Sequence, residues 1–365
     1  MRQTILKQIR ISNFTAFGAA TFDFSPGLNV IVGANGTGKT HVLKLGYLFA
    51  RAWPELKRTG RELAEKRTEA YFEDRLTGLF RPERLAHLLR QGSTKKTEIA
   101  AELTLGDRNA VPRVRRDDLT WQLRLGRDAD DAVNLKAAHL PDSTKVDFCK
   151  EPIFVPSKEI VSLFEGLIGL FEKYEIQLDE TYRDLAVAMS VPERRTPSGL
   201  LPELLKKLSA AIGGELILEK GRLLLRQSES AHMEPHLLAE GFRKLGLLLY
   251  LVRNQIVEPG GTLFWDEPEA NLNPGLMRPF IEVLVALAAK GVQIILATHS
   301  LFVLREIEIL LRETDYREVP RAFFALMPSK GGVKVAQGTS FEDVDPILSL
   351  EEDLAQSGRF MDVVD

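Results

Sequence analysis

The segment Gly33-Ala-Asn-Gly-Thr-Gly38-Lys39-Thr40 fits the spacing G-x-x-x-x-G-K-[ST] in full. Residues of these types can cradle phosphates. The glycines, with Asn35, Gly36, Thr37 and Gly38 in the turn itself, let backbone N–H groups wrap the anion. Lys39 supplies a point charge for β- and γ-phosphates, and the Thr40 hydroxyl can ligate Mg²⁺. A second constellation is Leu263-Phe-Trp-Asp266-Glu267, an apolar run ending in two carboxylates. Asp266 is suited to hold Mg²⁺ through water. Alternation along a strand points Glu267 away from Asp266 and toward the nucleotide mouth, where it can act as a general base or orient water. A third run ends in Thr298-His299-Ser300. From the carboxyl edge of a strand, His299 can reach a γ-phosphate. A phosphate loop alone gives binding, and hydrolysis needs the two carboxylates as well. The expected ligands are a nucleoside triphosphate and Mg²⁺.

These groups need strands and helices that bring them together. Alternating Ile5, Ile9 and Ile11 predict a first strand, and 20–24 a second. Pro26-Gly27 makes a turn into a short apolar strand over 28–32, and a helix follows the glycine-rich loop over 39–52. Residues 54–91 read as helical and arginine-rich. Strands are expected over 97–105, 119–125 and 152–156, helices over 158–189 and 201–212, and a hairpin about Lys220-Gly221. The last third alternates: helix 239–257, strand 262–265, helix from Pro274 capped by Asn273, strand 292–297, helix 301–311, strand 321–326. Strand–helix alternation predicts a parallel, helix-flanked sheet and an α/β fold.

The bulk properties fit a globular chain. Of 365 residues, 44% are hydrophobic and 27% charged, enough apolar material for a sizeable core. A net charge of −3 is not the footprint of a protein that coats nucleic acid, though it leaves room for a local basic patch. The single cysteine, Cys149, excludes an internal disulfide and reads as packing filler in a cytoplasmic protein. The first residues lack the apolar stretch of a signal peptide, and no run reaches the roughly 18 to 20 apolar residues of a membrane span. The stretch after 339 is acidic.

Together these pieces resemble the ABC-type ATPase heads of the RecF, Rad50 and SMC class, and more closely the compact ATPases related to the OLD proteins. Ile9-Arg-Ile-Ser-Asn-Phe14 and Gly27-Leu-Asn-Val-Ile-Val-Gly33 are similar to the way such heads begin. Asp266-Glu-Pro-Glu-Ala-Asn-Leu-Asn-Pro274 resembles their Walker B strand end and D-loop, and Thr298-His-Ser300 their H-loop. Ser157-Lys-Glu-Ile, Tyr174-Glu-Ile and Thr181-Tyr-Arg-Asp are similar to the compact group. The resemblance implies a P-loop NTPase fold, an ABC-type head with mixed sheets and an inserted helical subdomain. The core is then assigned to 1–52 and 214–338, the insertion to 53–213, and an acidic tail to 339–365.

The same resemblance implies a signature motif at Leu238-Ala-Glu-Gly-Phe-Arg-Lys244. Gly241 matches the motif's glycine, while Ala239 stands where a serine is usual. In the family that serine donates to the γ-phosphate of a nucleotide bound by a partner head. Here the helix N-terminal N–H groups near Gly241, or Arg243 or Lys244, are the expected substitutes. Gln91 and the turn at 156–159 are the candidates for the Q-loop. The family sandwiches two ATP molecules between two heads, which implies a homodimer.

Three roles compete for such a head. The first is a subunit controlling a separately encoded effector in a bacterial defence or toxin-type system, because the stretch after His299 is too short for the nuclease module that OLD proteins append. The second is a RecF-like repair ATPase, with DNA met by the basic residues at 51–96, among them Arg51, Lys57, Arg58, Arg61, Lys66, Arg67, Arg75, Arg81, Arg84 and Arg90, and by Arg113, Arg115, Arg116, Arg124 and Arg127. The third, a transporter subunit, is disfavoured by the altered signature and the long insertion. Asp343 and Asp345 form a D-x-D of the kind metal nucleases use, set in a simply acidic surrounding.

Overall fold

The computed structural model of the chain describes residues 2–58, 65–93, 96–107, 117–125, 150–174, 176–191, 200–228, 230–344, 355–356 and 359–361. Arg61, Arg113, Arg115, Arg116, Arg127, Cys149 and Asp345 lie outside them, as does most of the acidic tail.

The chain opens with β1 (Arg2–Phe14), β2 (Phe17–Asp23) and β3 (Leu28–Gly33), then α1 (Lys39–Arg58) and α2 (Glu65–Phe80). Next come β4 (Thr97–Asp107), β5 (Asp117–Leu125), β6 (Ile153–Val155), α3 (Leu167–Lys173), α4 (Glu180–Met189) and α5 (Pro202–Ile212). A small sheet holds β7 (Glu215–Glu219), β8 (Arg222–Arg226) and β9 (His232–Met233). The remainder is α6 (Glu240–Arg253), β10 (Thr262–Asp266), α7 (Pro274–Ala289), β11 (Gln293–Thr298), α8 (Leu301–Arg312), β12 (Arg321–Met327) and β13 (Lys334–Gly338).

The central sheet has the order β13-β12-β3-β11-β10-β6, parallel except for β13. Its parallel strands are buried on both faces, while the edge strand β13 is partly exposed. Leu28, Val30, Leu263, Trp265, Ile294 and Leu296 face one hydrophobic core with α4 to α8. Ile31, Phe264, Ile295, Ala297 and Phe324 face the other, with α1. On the far side of α1 lies an antiparallel sheet of order β2-β1-β4-β5. Helix α1 is therefore a filling between two sheets, which is why Val42, Leu43, Leu45, Leu48, Phe49 and Trp53 are all buried. Each such side chain contributes about 1.5–3 kcal/mol through burial.

Two buried amides lock the sheets in register. Gln293 donates from Nε2 to the carbonyls of Leu6 and Ser25, while its Oε1 accepts from the Leu6 N–H. Asn29 donates to the Ile294 carbonyl and accepts from the Ser25 N–H. Such satisfied polar groups specify one alignment where apolar side chains would tolerate several.

The expected single helix over 158–189 is two, α3 and α4. The helix begins only after Gly166 (φ 76), the N-cap of α3, the chain leaves α3 extended at Tyr174, and Asp179 starts α4 by accepting from the Thr181 N–H. The stretch assigned to an insertion also feeds the core, because β6 pairs with β10 while β4 pairs with β1. Asp343 caps its own turn by accepting from the Thr339 and Ser340 N–H groups, so this half of the D-x-D is structural. Among the described residues, no helix is long and apolar enough to cross a membrane.

Candidate functional site

The carboxyl ends of β3, β11, β10 and β6 lie side by side, with Val32 opposite Thr298, Ala297 opposite Asp266 and Trp265 opposite Val155. That edge is where a doubly wound sheet binds ligands. The loop from Gly33 to Thr40 leaves β3 there and enters α1, so its N–H groups and the helix N-terminus converge. Gly38 has φ +91, and a Cβ on it would lie 2.7 Å from the Phe17 ring, so only glycine fits. Thr37 braces the loop by donating its hydroxyl to the Ala34 carbonyl at 2.8 Å. Asn35 and Gly36 form the open crest of the loop, where a Cβ on Gly36 would touch nothing.

Lys39 is buried, and its Nζ donates to the carbonyls of Gly33 (2.8 Å) and Ala34 (3.1 Å). Burial pulls its pKa below the usual lysine value, against the attraction of Glu267, Asp266 and Glu269. Thr40 Oγ1 donates to Asp266 Oδ2 at 2.7 Å. Asp266 is buried, and its pKa is pushed up to about 6 by desolvation, with the neighbouring Glu267 charge adding to the rise and the Thr40 hydrogen bond opposing it. Its second oxygen, Oδ1, is buried with no hydrogen-bond partner. An orphaned carboxylate oxygen beside a threonine hydroxyl fits Mg²⁺, a hard cation that takes one or two carboxylates and completes its shell with water and phosphate. Among the described residues there is no cluster of His, Cys, Asp and Glu that would cage a metal alone.

Glu267 departs from the expected strand alternation. β10 ends at Asp266, and Glu267 turns off it with φ +48. That left-handed conformation costs a non-glycine residue about 1–2 kcal/mol and persists only where neighbours enforce it. Here the Glu267 N–H donates to the Ala297 carbonyl at 2.9 Å. The carboxylate still reaches the site edge, with Oε1 lying 3.4 Å from His299 Nδ1. The His299 side chain is 49% exposed, free to meet a ligand. Its backbone N–H donates to Glu269 Oε1, which also accepts from the Thr298 hydroxyl at 2.6 Å. Glu269 thus fixes the turn that presents His299. Its signal in the sequence was its place in the Asp266-Glu-Pro-Glu run.

Gly241 lies in the first turn of α6 against the loop after β10, where a Cβ would come within 3.1 Å of the Asn271 carbonyl. Ala239 is the N-cap of α6 and makes no side-chain capping bond, leaving the helix N–H groups as the donors available there. Arg243 and Lys244, expected as substitutes for the missing serine, are both committed within the chain. Arg243 pairs with Glu159 at 2.8 Å and donates to the Leu238 carbonyl, while Lys244 is buried beneath the loop. The turn at 156–159 follows β6 on the same edge as Asp266, whereas Gln91 sits on an exposed turn entering β4. Lys44, given no role from sequence, bridges Asp179 (2.8 Å) and the Leu79 carbonyl, and its charge acts on Asp266.

Comparison with known proteins agrees with this geometry. An AAA domain family model matches residues 8–122, and a second, whose description names the AbiEii toxin of a type IV toxin–antitoxin system, matches 215–305. The DNA replication and repair protein RecF of Streptococcus uberis is 38% identical over 60 residues, a match spanning 16% of this chain and 16% of RecF. An Smc head bound to the C-winged helix domain of ScpA superposes with a TM-score of 0.56 at 16% identity, covering 93% of this chain and 98% of that one. An Smc head from Pyrococcus furiosus, with an extended coiled coil and bound to the C-terminal domain of ScpA, gives 0.53 at 15% identity over 98% and 100%.

Proposed function

We propose that this chain, an ABC-type ATPase head of the RecF, Rad50 and SMC class, binds ATP with Mg²⁺ at the Gly33–Thr40 loop and Asp266, hydrolyses it from Glu267, and closes as a homodimer around the nucleotide. The observation that carries the reading is the Thr40–Asp266 hydrogen bond of 2.7 Å with Asp266 Oδ1 buried and unpartnered beside it. Thr40 and Asp266 would hold Mg²⁺, which neutralises charge developing on the phosphates. Lys39 would pair with the β- and γ-phosphates. Glu267 would take a proton from the attacking water, and His299 would contact the γ-phosphate. The uncapped N-terminus of α6 at Gly241 would meet the nucleotide of a second copy, so that ATP acts as a dimerisation ligand by mass action.

The test is Glu267→Gln. Light scattering of this variant with ATP and Mg²⁺ is expected to show a stable doubling of mass. A mass that does not change with nucleotide removes the sandwich from the reading.

In the cell, the cycle of closing and release would control a separately encoded effector in a bacterial defence or toxin-type system, working in the cytoplasm. The family model naming AbiEii over 215–305 supports this. The stretch shared with RecF supports a second reading, a repair ATPase that meets DNA. Several arginines offered for that contact have other work. Arg51 and Arg75 are buried in ion pairs, and Arg58 and Arg124 pair with Glu151 and Glu98. DNA binding by the purified protein that weakens steeply with salt would favour the second reading, and its absence the first.

A further inference from the structure

Lys244 lies on α6 with its side chain in the protein interior. A buried ammonium is tolerated only where acceptors meet it. Two do. Nζ donates to the Ala270 carbonyl at 2.7 Å and to the Glu267 carbonyl at 3.2 Å. Both acceptors belong to the loop that leaves β10, the loop whose first residue is twisted into a left-handed conformation. The Glu267 carbonyl also accepts from the Ala270 N–H at 3.1 Å, closing a tight turn over the ammonium. An apolar side chain would fill the same volume without the cost of desolvating a charge. The charge is explained by what it holds.

We infer that Lys244 is a positioning residue for hydrolysis, which fixes the backbone of Glu267 and links it to the N-terminus of α6; this rests on the proposed role of Glu267. Gly241, one turn before Lys244, abuts Asn271 and Leu272 farther along the same loop. The loop is thus gripped by α6 at two points, at Asn271, which donates from Nδ2 to Glu240 Oε1 at 2.9 Å beside the close approach of Gly241, and through charge at Glu267 and Ala270. A load placed on the start of α6 reaches the Glu267 carbonyl through one side chain.

The test compares Lys244→Met and Lys244→Arg in the full chain. Calorimetry gives ATP affinity, steady-state assay gives kcat, light scattering gives mass with ATP, and thermal melting reports folding. K244M is expected to bind ATP as the parent does, to lose about 10- to 100-fold in kcat, and to persist as the ATP-bound dimer. K244R, which keeps a cation able to donate to both carbonyls, is expected to recover most of the rate. If K244M melts below the assay temperature, Lys244→Gln, shorter and uncharged, carries the same comparison. Parental kcat in K244M, or loss of ATP affinity in step with kcat, or a K244R as slow as K244M, overturns the assignment. A Glu267→Gln dimer trapped by ATP beside a K244M of parental kcat removes only the role of Lys244. A Glu267→Gln variant whose mass ignores ATP removes the reading on which it stands.

Discussion

Lys39 and Asp266 carry their charges in surroundings that disfavour both, one pKa pulled down by burial and the other raised to about 6. A phosphate and a divalent cation would offset those costs together. Lys39→Ala is therefore expected to abolish ATP binding in calorimetry, and retained affinity would overturn the site. The residues of this site were largely legible in the sequence, because the loop spacing, the apolar run into Asp266 and the run into His299 are local patterns. Glu267 was legible as a residue of the site edge and not in its geometry. The alternation argument assumes a strand that continues, and β10 stops one residue earlier. Lys244 was marked only by its place in the 238–244 run and Lys44 not at all, and the partners of both had no local signal, since they lie far along the chain.

At the level of elements, the informative case is the buried ion network joining α1, α2 and α4. Asp184 meets Arg75 at 2.5 Å and Arg51 at 3.6 Å, and accepts from the Tyr47 hydroxyl at 2.7 Å. Read from sequence, Arg51 and Arg75 belong to a basic run suited to phosphates. Asp184 and Glu180, which turn them inward, arrive from more than a hundred residues away. Asp184→Asn leaves two buried guanidiniums short of a partner and is expected to cost about 3–5 kcal/mol in urea unfolding. Burial pushes the Asp184 pKa up, but Arg75 and Arg51 outweigh it and hold it below the usual carboxylate value of 3.8. A depressed native pKa stabilises the fold above the unfolded value and loses that contribution as pH falls through the native one. The aspartate's share should thus be intact at neutral pH and fade below about pH 4, where the parent and Asp184→Asn curves should converge. The two-sheet sandwich around α1 was only half legible. Strand–helix alternation marked the parallel sheet, while the pairing of β1 with β4 and of β6 with β10 depends on contacts no window of sequence contains.

At the scale of the whole molecule, the start of α6 faces outward with Ala239 as an N-cap that makes no side-chain bond. Ala239→Ser is expected to add about 1 kcal/mol to stability by capping α6. If the proposed ATP-dependent dimer forms through the start of α6, the added hydroxyl should also tighten it. Sedimentation of the two proteins at matched ATP concentrations checks this, and an unchanged dimer affinity would show that the helix N–H groups suffice. The strand order carries a different consequence, one for synthesis on the ribosome. β3 ends at Gly33, yet both of its partners, β11 and β12, lie between Gln293 and Met327. At about 5–20 residues per second, the apolar strand that carries the phosphate loop emerges roughly tens of seconds before either neighbour exists. The nascent chain must keep Leu28 to Val32 from pairing with another strand throughout that interval, so it is newly made protein, more than finished protein, that is exposed to aggregation and to chaperone capture.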